Sequence, residues 1–106
     1  MARQLFIVST YAVPGREDEF EQWYRERHLP DMLRVPGVVA AQRYGTEPVK
    51  LPQGMATPDC IAIYELDCED PAVVLSEAGR RMGTPEMPSS PALDSARTIA
   101  VLAAAK

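Results

Sequence analysis

The chain has 106 residues, of which 46% are hydrophobic, and a formal net charge of −4. This length and apolar content predict one packed domain, residues 1–106, and argue against a disordered chain. The acidic balance argues against a nucleic-acid partner, and without an apolar run of roughly 20 residues we expect no membrane partner and a cytoplasmic protein.

The first predicted element is a strand at residues 5–11 (LFIVSTY), which is rich in β-branched and aromatic side chains. Both of its alternating faces are apolar near the start, so we expect a central strand that is covered on both sides. A turn at Pro14 and Gly15 follows, and a helix should begin at about Arg16.

This helix carries an aromatic stripe, because Phe20, Tyr24 and His28 recur at four-residue spacing. Acidic residues fill its first turn, where carboxylates oppose the positive end of the helix dipole. Pro30 disfavours helical geometry at the residue before it, so we expect the helix to end near His28. Residues 31–35 could add one short turn before the next Pro-Gly pair.

A second strand is predicted at residues 38–44 (VVAAQRY). Regular alternation would place Val38 and Gln42 on one face and Arg43 on the other. The connection that follows, residues 47–59, contains three prolines and a glycine. Its length indicates a long hairpin loop that could serve as a functional flap.

The second half of the chain predicts two more strands around a second helix. Residues 60–66 (CIAIYEL) and 97–104 (RTIAVLAA) have the composition of strands. Between them, residues 72–82 (AVVLSEAGRRM) predict a helix, with Asp70 as its N-cap and a proline in its first turn. Residues 83–91 contain three prolines and should be irregular.

The two cysteines, Cys60 and Cys68, flank one extended segment. Seven or eight strand residues would hold them about 25 Å apart, which is beyond the reach of a disulfide. We therefore expect two reduced thiols. No cluster of cysteine and histidine has the spacing of a zinc site, so no metal is expected.

The order of elements is strand, helix, strand, strand, helix, strand, which is the ferredoxin-like βαββαβ pattern. It predicts an α+β fold with an antiparallel four-stranded sheet and both helices on one face. The other face would be apolar and uncovered in a single chain. A second copy of the chain is the simplest cover, so we expect a homodimer.

Residues 20–44 follow the pattern FExWYxxxHLPDMLxVPGVxxAxRY. This pattern resembles EthD-like proteins of the dimeric α/β-barrel superfamily, and beyond residue 48 the likeness is one of element order only. The resemblance implies that two ferredoxin-like protomers pack sheet to sheet into a dimeric α+β barrel with a partly hollow interior. Relatives in that superfamily include cofactor-free cyclases, lactone isomerases, monooxygenases and distant haem-binding enzymes.

His28 is the only histidine in the chain and the first candidate catalytic residue. Imidazole is the side chain best suited to proton transfer near neutral pH, and the resemblance implies such a role at this motif position. The alternative is a structural residue at a helix C-terminus that caps carbonyls or interacts with the dipole. A helix end would favour the protonated ring, so we expect a general acid rather than a base.

Arg43 and Tyr64 are polar residues within apolar strands and complete the candidate catalytic set. A polar group buried in such a strand needs a partner, either a ligand or a dimer contact. Arg43 could bind a carboxylate or enolate oxygen, the alternative being a salt bridge at the barrel rim. Tyr64 could donate a hydrogen bond to a carbonyl oxygen.

Four further residues are candidates for substrate binding: Tyr24, Trp23, Asp31 and Gln42. An aromatic residue at helical spacing usually packs in the core, and packing is the favoured interpretation of Tyr24 and Trp23. Asp31 could orient the imidazole of His28, but a solvated turn residue is the favoured interpretation.

No metal motif, phosphate-binding loop or nucleophile elbow is present in the sequence, which favours chemistry without a cofactor. We therefore expect a homodimer that binds a small, largely apolar ring compound or lactone in a barrel pocket. The reaction would be proton transfer of the isomerase, cyclase or dehydratase type. The alternatives are a non-catalytic binding or accessory protein of the same fold, and haem- or oxygen-dependent monooxygenase chemistry with His28 as an axial ligand.

Overall fold

The computed structural model describes residues 3–49 and 57–106 and confirms the predicted order of strands and helices. Residues 50–56 of the predicted loop lie outside the described residues. Among the described residues, no helix is long and apolar enough to cross a membrane. The elements are β1 (Arg3–Thr10), α1 (Glu17–Trp23), a π turn (Tyr24–His28), α2 (Leu29–Leu33), β2 (Val38–Tyr44), β3 (Cys60–Asp67), α3 (Pro71–Arg81), a 3-10 turn (Ser95–Arg97) and β4 (Ile99–Ala104).

The four strands form one sheet in the order β2-β3-β1-β4, and every neighbouring pair is antiparallel. β1 is therefore central, as its composition predicts. The helices cover one face of the sheet and complete a ferredoxin-like α+β fold, so the predicted fold class is confirmed. Asp70 caps α3 by accepting a hydrogen bond from the Ala72 amide at 3.0 Å, as predicted.

The helix-covered face of the sheet carries the hydrophobic core. Alternate residues of β3 point into this core, and the helical segment between Glu17 and Leu33 closes it with aromatic and aliphatic side chains. Burial of this apolar surface is the main favourable term in folding. The most deeply buried members are Tyr24, Val35, Ala62, Tyr64, Leu66, Met87 and Ala92.

The opposite face of the sheet, here called the outer face, is apolar and exposed. Ile7 of β1 is paired with Ile63 of β3 on one side and with Val101 of β4 on the other, so these side chains form a continuous band. Val101 is 50% exposed and Ile99 is 61% exposed. Contiguous apolar surface of this kind usually marks an interaction site.

The face assignment of Val38 by regular alternation is wrong. Val38 pairs with Leu66 on the core side, whereas Ala40 pairs with the adjacent residue Glu65 on the outer side. A β-bulge between them adds one residue to β2 and reverses the alternation at that point. Gln42 lies on the outer face, so it does not share a face with Val38.

The predicted end of the first helix near His28 is also wrong. Leu29 keeps helical angles (φ −61°, ψ −50°), and helical geometry continues through Pro30 to Leu33. The amide of Leu29 bonds to the carbonyl of Tyr24, five residues earlier, so the helix widens into a π turn immediately before the proline. The wider turn accommodates a ring that would clash with the preceding turn of a regular α-helix.

Candidate functional site

A cavity of about 250 Å³ lies between the sheet and the helices, on the core side of the fold. Its walls are mainly apolar and come from β1, β3, β4, the first helical segment and α3. The cavity and the outer face lie on opposite sides of the sheet. The interior of a sheet-to-sheet barrel would lie against the outer face. The polar or aromatic side chains around it are Phe6, Thr10, Trp23, Tyr24, His28, Tyr64 and Thr98.

His28 stands between two aromatic rings at the wall of this cavity. It stacks on Trp23 with 4.7 Å between ring centroids, and it meets the edge of Tyr24 at 5.4 Å. The π turn makes this arrangement possible, because a wider turn brings residues four and five positions apart onto one face. Trp23 is held in place by a hydrogen bond from its indole nitrogen to the Pro88 carbonyl, at 2.9 Å.

Burial lowers the pKa of His28 to about 4, and the nearby charge of Asp31 acts in the opposite direction. The ring is therefore neutral at pH 7 and can accept a proton. The expectation of a protonated ring rested on a helix end at His28, and the helix does not end there. Within the described part of the chain, the Nδ1 atom of His28 is buried and has no hydrogen-bond partner.

Tyr64 is the second buried polar group on the cavity wall. It is fully buried, and its ring lies 5.9 Å from that of Phe6 across the β1–β3 pair. Burial raises the pKa of Tyr64 well above its ordinary value, and the neighbouring phenol of Tyr24 raises it further. The group is thus a neutral donor. No described residue provides its hydroxyl with a hydrogen bond of normal geometry.

Tyr24 lies beside both of these groups and is itself almost fully buried. Burial raises its pKa, so it is also a neutral phenol at pH 7. Its ring contacts His28, and its hydroxyl is close to those of Tyr64 and Thr10. Tyr24 belongs to the hydrophobic core, in agreement with the favoured interpretation of the sequence. The same side chain also forms part of the cavity wall.

Arg43 does not line the cavity. Its guanidinium carbon lies 5.1 Å from the centre of the Tyr24 ring, where it makes a cation–π contact, and it pairs with the carboxylate of Glu21. Its Nε atom is buried without a partner among the described residues. Arg43 is therefore positioned to act on the cavity only through Tyr24.

The interpretation of Asp31 as a solvated turn residue is wrong. The continued helix carries it inward, and it is only 3% exposed. Its carboxylate accepts hydrogen bonds from Arg27 at 3.2 Å and from Arg34 at 2.5 Å. These two arginines occupy the oxygens that could otherwise have oriented His28, so Asp31 influences His28 through its charge.

Gln42 is separated from the other candidates by the sheet. Its amide donates to the carbonyl of Arg43 at 3.1 Å, and it lines a shallow depression on the outer face. The structure therefore brings His28, Tyr24, Trp23 and Tyr64 together around one cavity. It does not bring Gln42 to them.

A further wall comes from the proline-rich segment that the sequence predicts as irregular. Met87 in this segment is almost fully buried and lines the cavity with Met82 and Leu93. The segment is tied to the first helix through the Trp23–Pro88 bond and through a bond from Arg27 to the Pro85 carbonyl at 3.3 Å. Met87 and the preceding Met82 were the available signal, because flexible thioethers often line adaptable pockets.

The predicted flap between residues 47 and 59 is described only at its two ends. There the Thr46 hydroxyl donates to the Pro58 carbonyl, and the Ala12 amide donates to the Asp59 carboxylate at 2.8 Å. Residues 50–56 of this predicted flap lie outside the described residues.

The fold and this cavity define a ferredoxin-like α+β protein with an internal, largely apolar pocket beside one histidine. Among solved structures, an ethyl tert-butyl ether D (EthD) family protein from Bacillus halodurans C-125 is similar to the chain, with a TM-score of 0.60. The two share 19% sequence identity, and the similarity covers 100% of both chains. The chain therefore has the fold of an EthD family protein, as the motif at residues 20–44 predicted.

Comparison at the level of sequence adds no further relative. No protein-family model matches the chain, and no curated protein is significantly similar to it. What the cavity does must therefore be argued from its own side chains.

Proposed function

We propose that the protein catalyses proton transfer next to a carbonyl group of a small, largely apolar ring compound or lactone. One observation supports this most directly. The Nδ1 atom of His28 and the hydroxyl of Tyr64 are both buried, neither makes a hydrogen bond of normal geometry to a described residue, and both belong to side chains on the wall of one apolar cavity. Unpaired buried polar groups are costly, and a ligand that pairs with them would remove that cost.

In the proposed reaction, neutral His28 removes a proton from the carbon next to the carbonyl. The C–H bond breaks, an N–H bond forms at Nδ1, and the electron pair moves onto the carbonyl oxygen to give an enolate. The Tyr64 hydroxyl donates a hydrogen bond to that oxygen as its negative charge develops. Where a carbon–carbon double bond in the substrate extends the enolate, return of the proton to the far carbon of that bond shifts the double bond and completes an isomerisation, and the ring of His28 is neutral again.

This scheme uses only proton transfers, so it requires no electron acceptor and no cofactor. All the residues that carry it belong to a single sheet and the helices on it, which supports the proposal that residues 1–106 act as one domain. The pocket is formed within one protomer on the core side of the sheet. The barrel interior is not required for it.

Hydrogen–deuterium exchange tests the proposal without knowledge of the natural substrate. In D₂O, the protein should accelerate the exchange of the methyl protons of acetophenone, a small aryl ketone that can form an enol. Loss of the methyl signal in ¹H NMR measures the rate. Exchange no faster than that produced by an equal concentration of free imidazole would contradict the proposal.

A non-catalytic binding protein of the same fold is the first alternative, and the same experiment separates the two. Such a protein would bind acetophenone without accelerating its exchange. A haem protein is the second alternative, and the size of the cavity argues against it. The cavity of about 250 Å³ lies below the roughly 300–1,000 Å³ of typical small-molecule sites, and a porphyrin is at least as large as the ligands of such sites.

We further propose that the protein forms a homodimer through the outer face. Ile7, Ile63 and Val101 form an apolar band there, and a second copy of the same face would bury it by two-fold symmetry. The fold shared with the EthD family structure is compatible with this arrangement. In a sheet-to-sheet dimer the helix-side cavities would remain separate, one in each protomer.

Val101→Glu should weaken this dimer, because symmetry places two new carboxylates in the buried band without partners. We expect the dimer dissociation constant to rise by at least about 100-fold, since each unpaired buried charge costs several kcal/mol. Sedimentation velocity over a range of concentrations measures it. Val73→Glu is the matched control, because Val73 is 66% exposed on α3, away from the outer face. The assignment would be contradicted if the wild-type protein is monomeric at every concentration, or if both variants dimerise with the same dissociation constant.

A further inference from the structure

The cavity wall is polar at a few points but carries no charged side chain among the described residues. Its polar groups are the imidazole of His28 and the hydroxyls of Thr10, Tyr24, Tyr64 and Thr98. Burial keeps the imidazole and both phenols in their neutral forms at pH 7. A ligand in this cavity would therefore meet hydrogen-bonding groups but no formal charge.

The arginines beside Tyr24 and Asp31 are already paired outside the cavity. Arg43 pairs with Glu21 and lies over the ring of Tyr24. Arg27 and Arg34 both pair with the buried carboxylate of Asp31. Movement of any of these arginines into the cavity would leave a carboxylate behind without its partner, and for the buried Asp31 this would be especially unfavourable.

We infer that the cavity selects uncharged carbonyl compounds and excludes their carboxylate analogues. This inference rests on the proposed function and narrows its substrate class. A carboxylate would lose its hydration on entry and gain only neutral donors in return. A ketone or lactone oxygen, in contrast, needs only the one hydrogen bond that Tyr64 can donate.

The size of the cavity narrows the class further. About 250 Å³ equals the liquid volume of about eight water molecules. A compound of one or two rings with short substituents fits this space, whereas a compound of three or more fused rings would need movement of the walls. The substrate class is therefore a neutral ketone or lactone of one or two rings without an ionised substituent.

Binding of a matched ligand pair tests the inference. 4-Methylacetophenone and 4-acetylbenzoate share the aryl ketone and differ mainly in whether the para substituent is a methyl group or a carboxylate. Trp23 is the only tryptophan and lines the cavity, so its single indole N–H signal in a ¹H–¹⁵N spectrum reports occupancy. At neutral pH we expect the neutral ketone to bind at least about 100-fold more tightly than the carboxylate.

Two variants show that the signal reports this site. Tyr64→Phe should weaken binding of 4-methylacetophenone, because the donor to its carbonyl is lost, and Tyr44→Phe on the exposed outer face should not.

If 4-acetylbenzoate binds as tightly as the neutral ketone, the charge selection is wrong and the proton-transfer function can still hold. If the neutral ketone binds selectively but its methyl protons do not exchange, the function is wrong and the selection stands. If neither compound shifts the Trp23 signal in the folded protein, both proposals are wrong.

Discussion

Replacement of His28 by glutamine should lower the protein-catalysed exchange of acetophenone methyl protons by about 10²–10⁴-fold, the usual contribution of a positioned acid–base group. Glutamine keeps a polar side chain of similar length but cannot accept a proton at neutral pH. ¹H NMR in D₂O measures the rate for both proteins at equal concentration. The near-ultraviolet circular dichroism of Trp23 checks that the variant keeps its fold.

Arg25→Ala is the matched control for this substitution. Arg25 belongs to the same π turn but is exposed, so its loss should leave the exchange rate close to that of the wild type. Equal loss of exchange in the two variants would indicate a general effect on the helix. Unchanged exchange in His28→Gln would remove His28 from the mechanism.

The same substitution should also change how stability depends on pH. In the unfolded chain His28 has its ordinary pKa of 6.5, and in the folded protein the pKa is lowered to about 4. As the pH falls below 6.5, the unfolded state binds the proton first, so the free energy of unfolding decreases until the pH passes below about 4. By about pH 5 the wild type should have lost on the order of 2 kcal/mol from this source.

Denaturant unfolding at neutral pH and at pH 5 measures this difference. His28→Gln has no group that titrates in this range at position 28, so its loss should be smaller by the same amount. The facing groups, Tyr24 and Asp31 with its two arginines, are unchanged in the variant. An identical pH dependence for both proteins would show that His28 is not held in its neutral form.

Replacement of Tyr64 by phenylalanine should lower exchange by about 10²–10³-fold, as loss of one oxyanion donor typically does. The same substitution should not lower the stability of the fold. The hydroxyl is fully buried and makes no hydrogen bond of normal geometry to any described residue. Its removal should therefore leave the free energy of unfolding unchanged or raise it by up to about 1 kcal/mol.

The combination of lost exchange and retained stability distinguishes a functional hydroxyl from a structural one. Denaturant unfolding and the exchange assay on the same protein samples measure both effects. Tyr44→Phe makes the same chemical change on the outer face, across the sheet from the cavity, and should leave exchange unchanged. A loss of more than about 1 kcal/mol in Tyr64→Phe would mean that the hydroxyl has a structural partner, since that is the usual contribution of one hydrogen bond.

Local patterns were sufficient to predict most of the fold. The bounds of β2 and the cap at Asp70 follow from nearby residue types alone. The continuation of the first helix through Pro30 does not, because the π turn that permits it depends on packing across the core. The bulge after Val38 likewise becomes visible only in the register with β3.

Some residues of the cavity wall were predictable from the sequence, but the location of the cavity was not. His28 follows from the motif, and Tyr64 from the placement of a phenol within an apolar strand. Both faces of β3 are apolar in sequence, so alternation alone could not show which face carries Tyr64. The pairing of Arg43 with Glu21, and the burial of Asp31, depend on residues that only the fold brings together.

The π turn has a consequence for changes in chain length. A π turn takes up one residue more than a regular α-helix over the same length. Loss of one exposed residue of this turn, such as Arg25, would therefore let the segment return to a regular α-helix with α1 and α2 in about their present orientation. The ring of Pro30 would then clash with the preceding turn. Homologous chains that lack one residue between positions 24 and 28 should therefore also lack the proline at position 30.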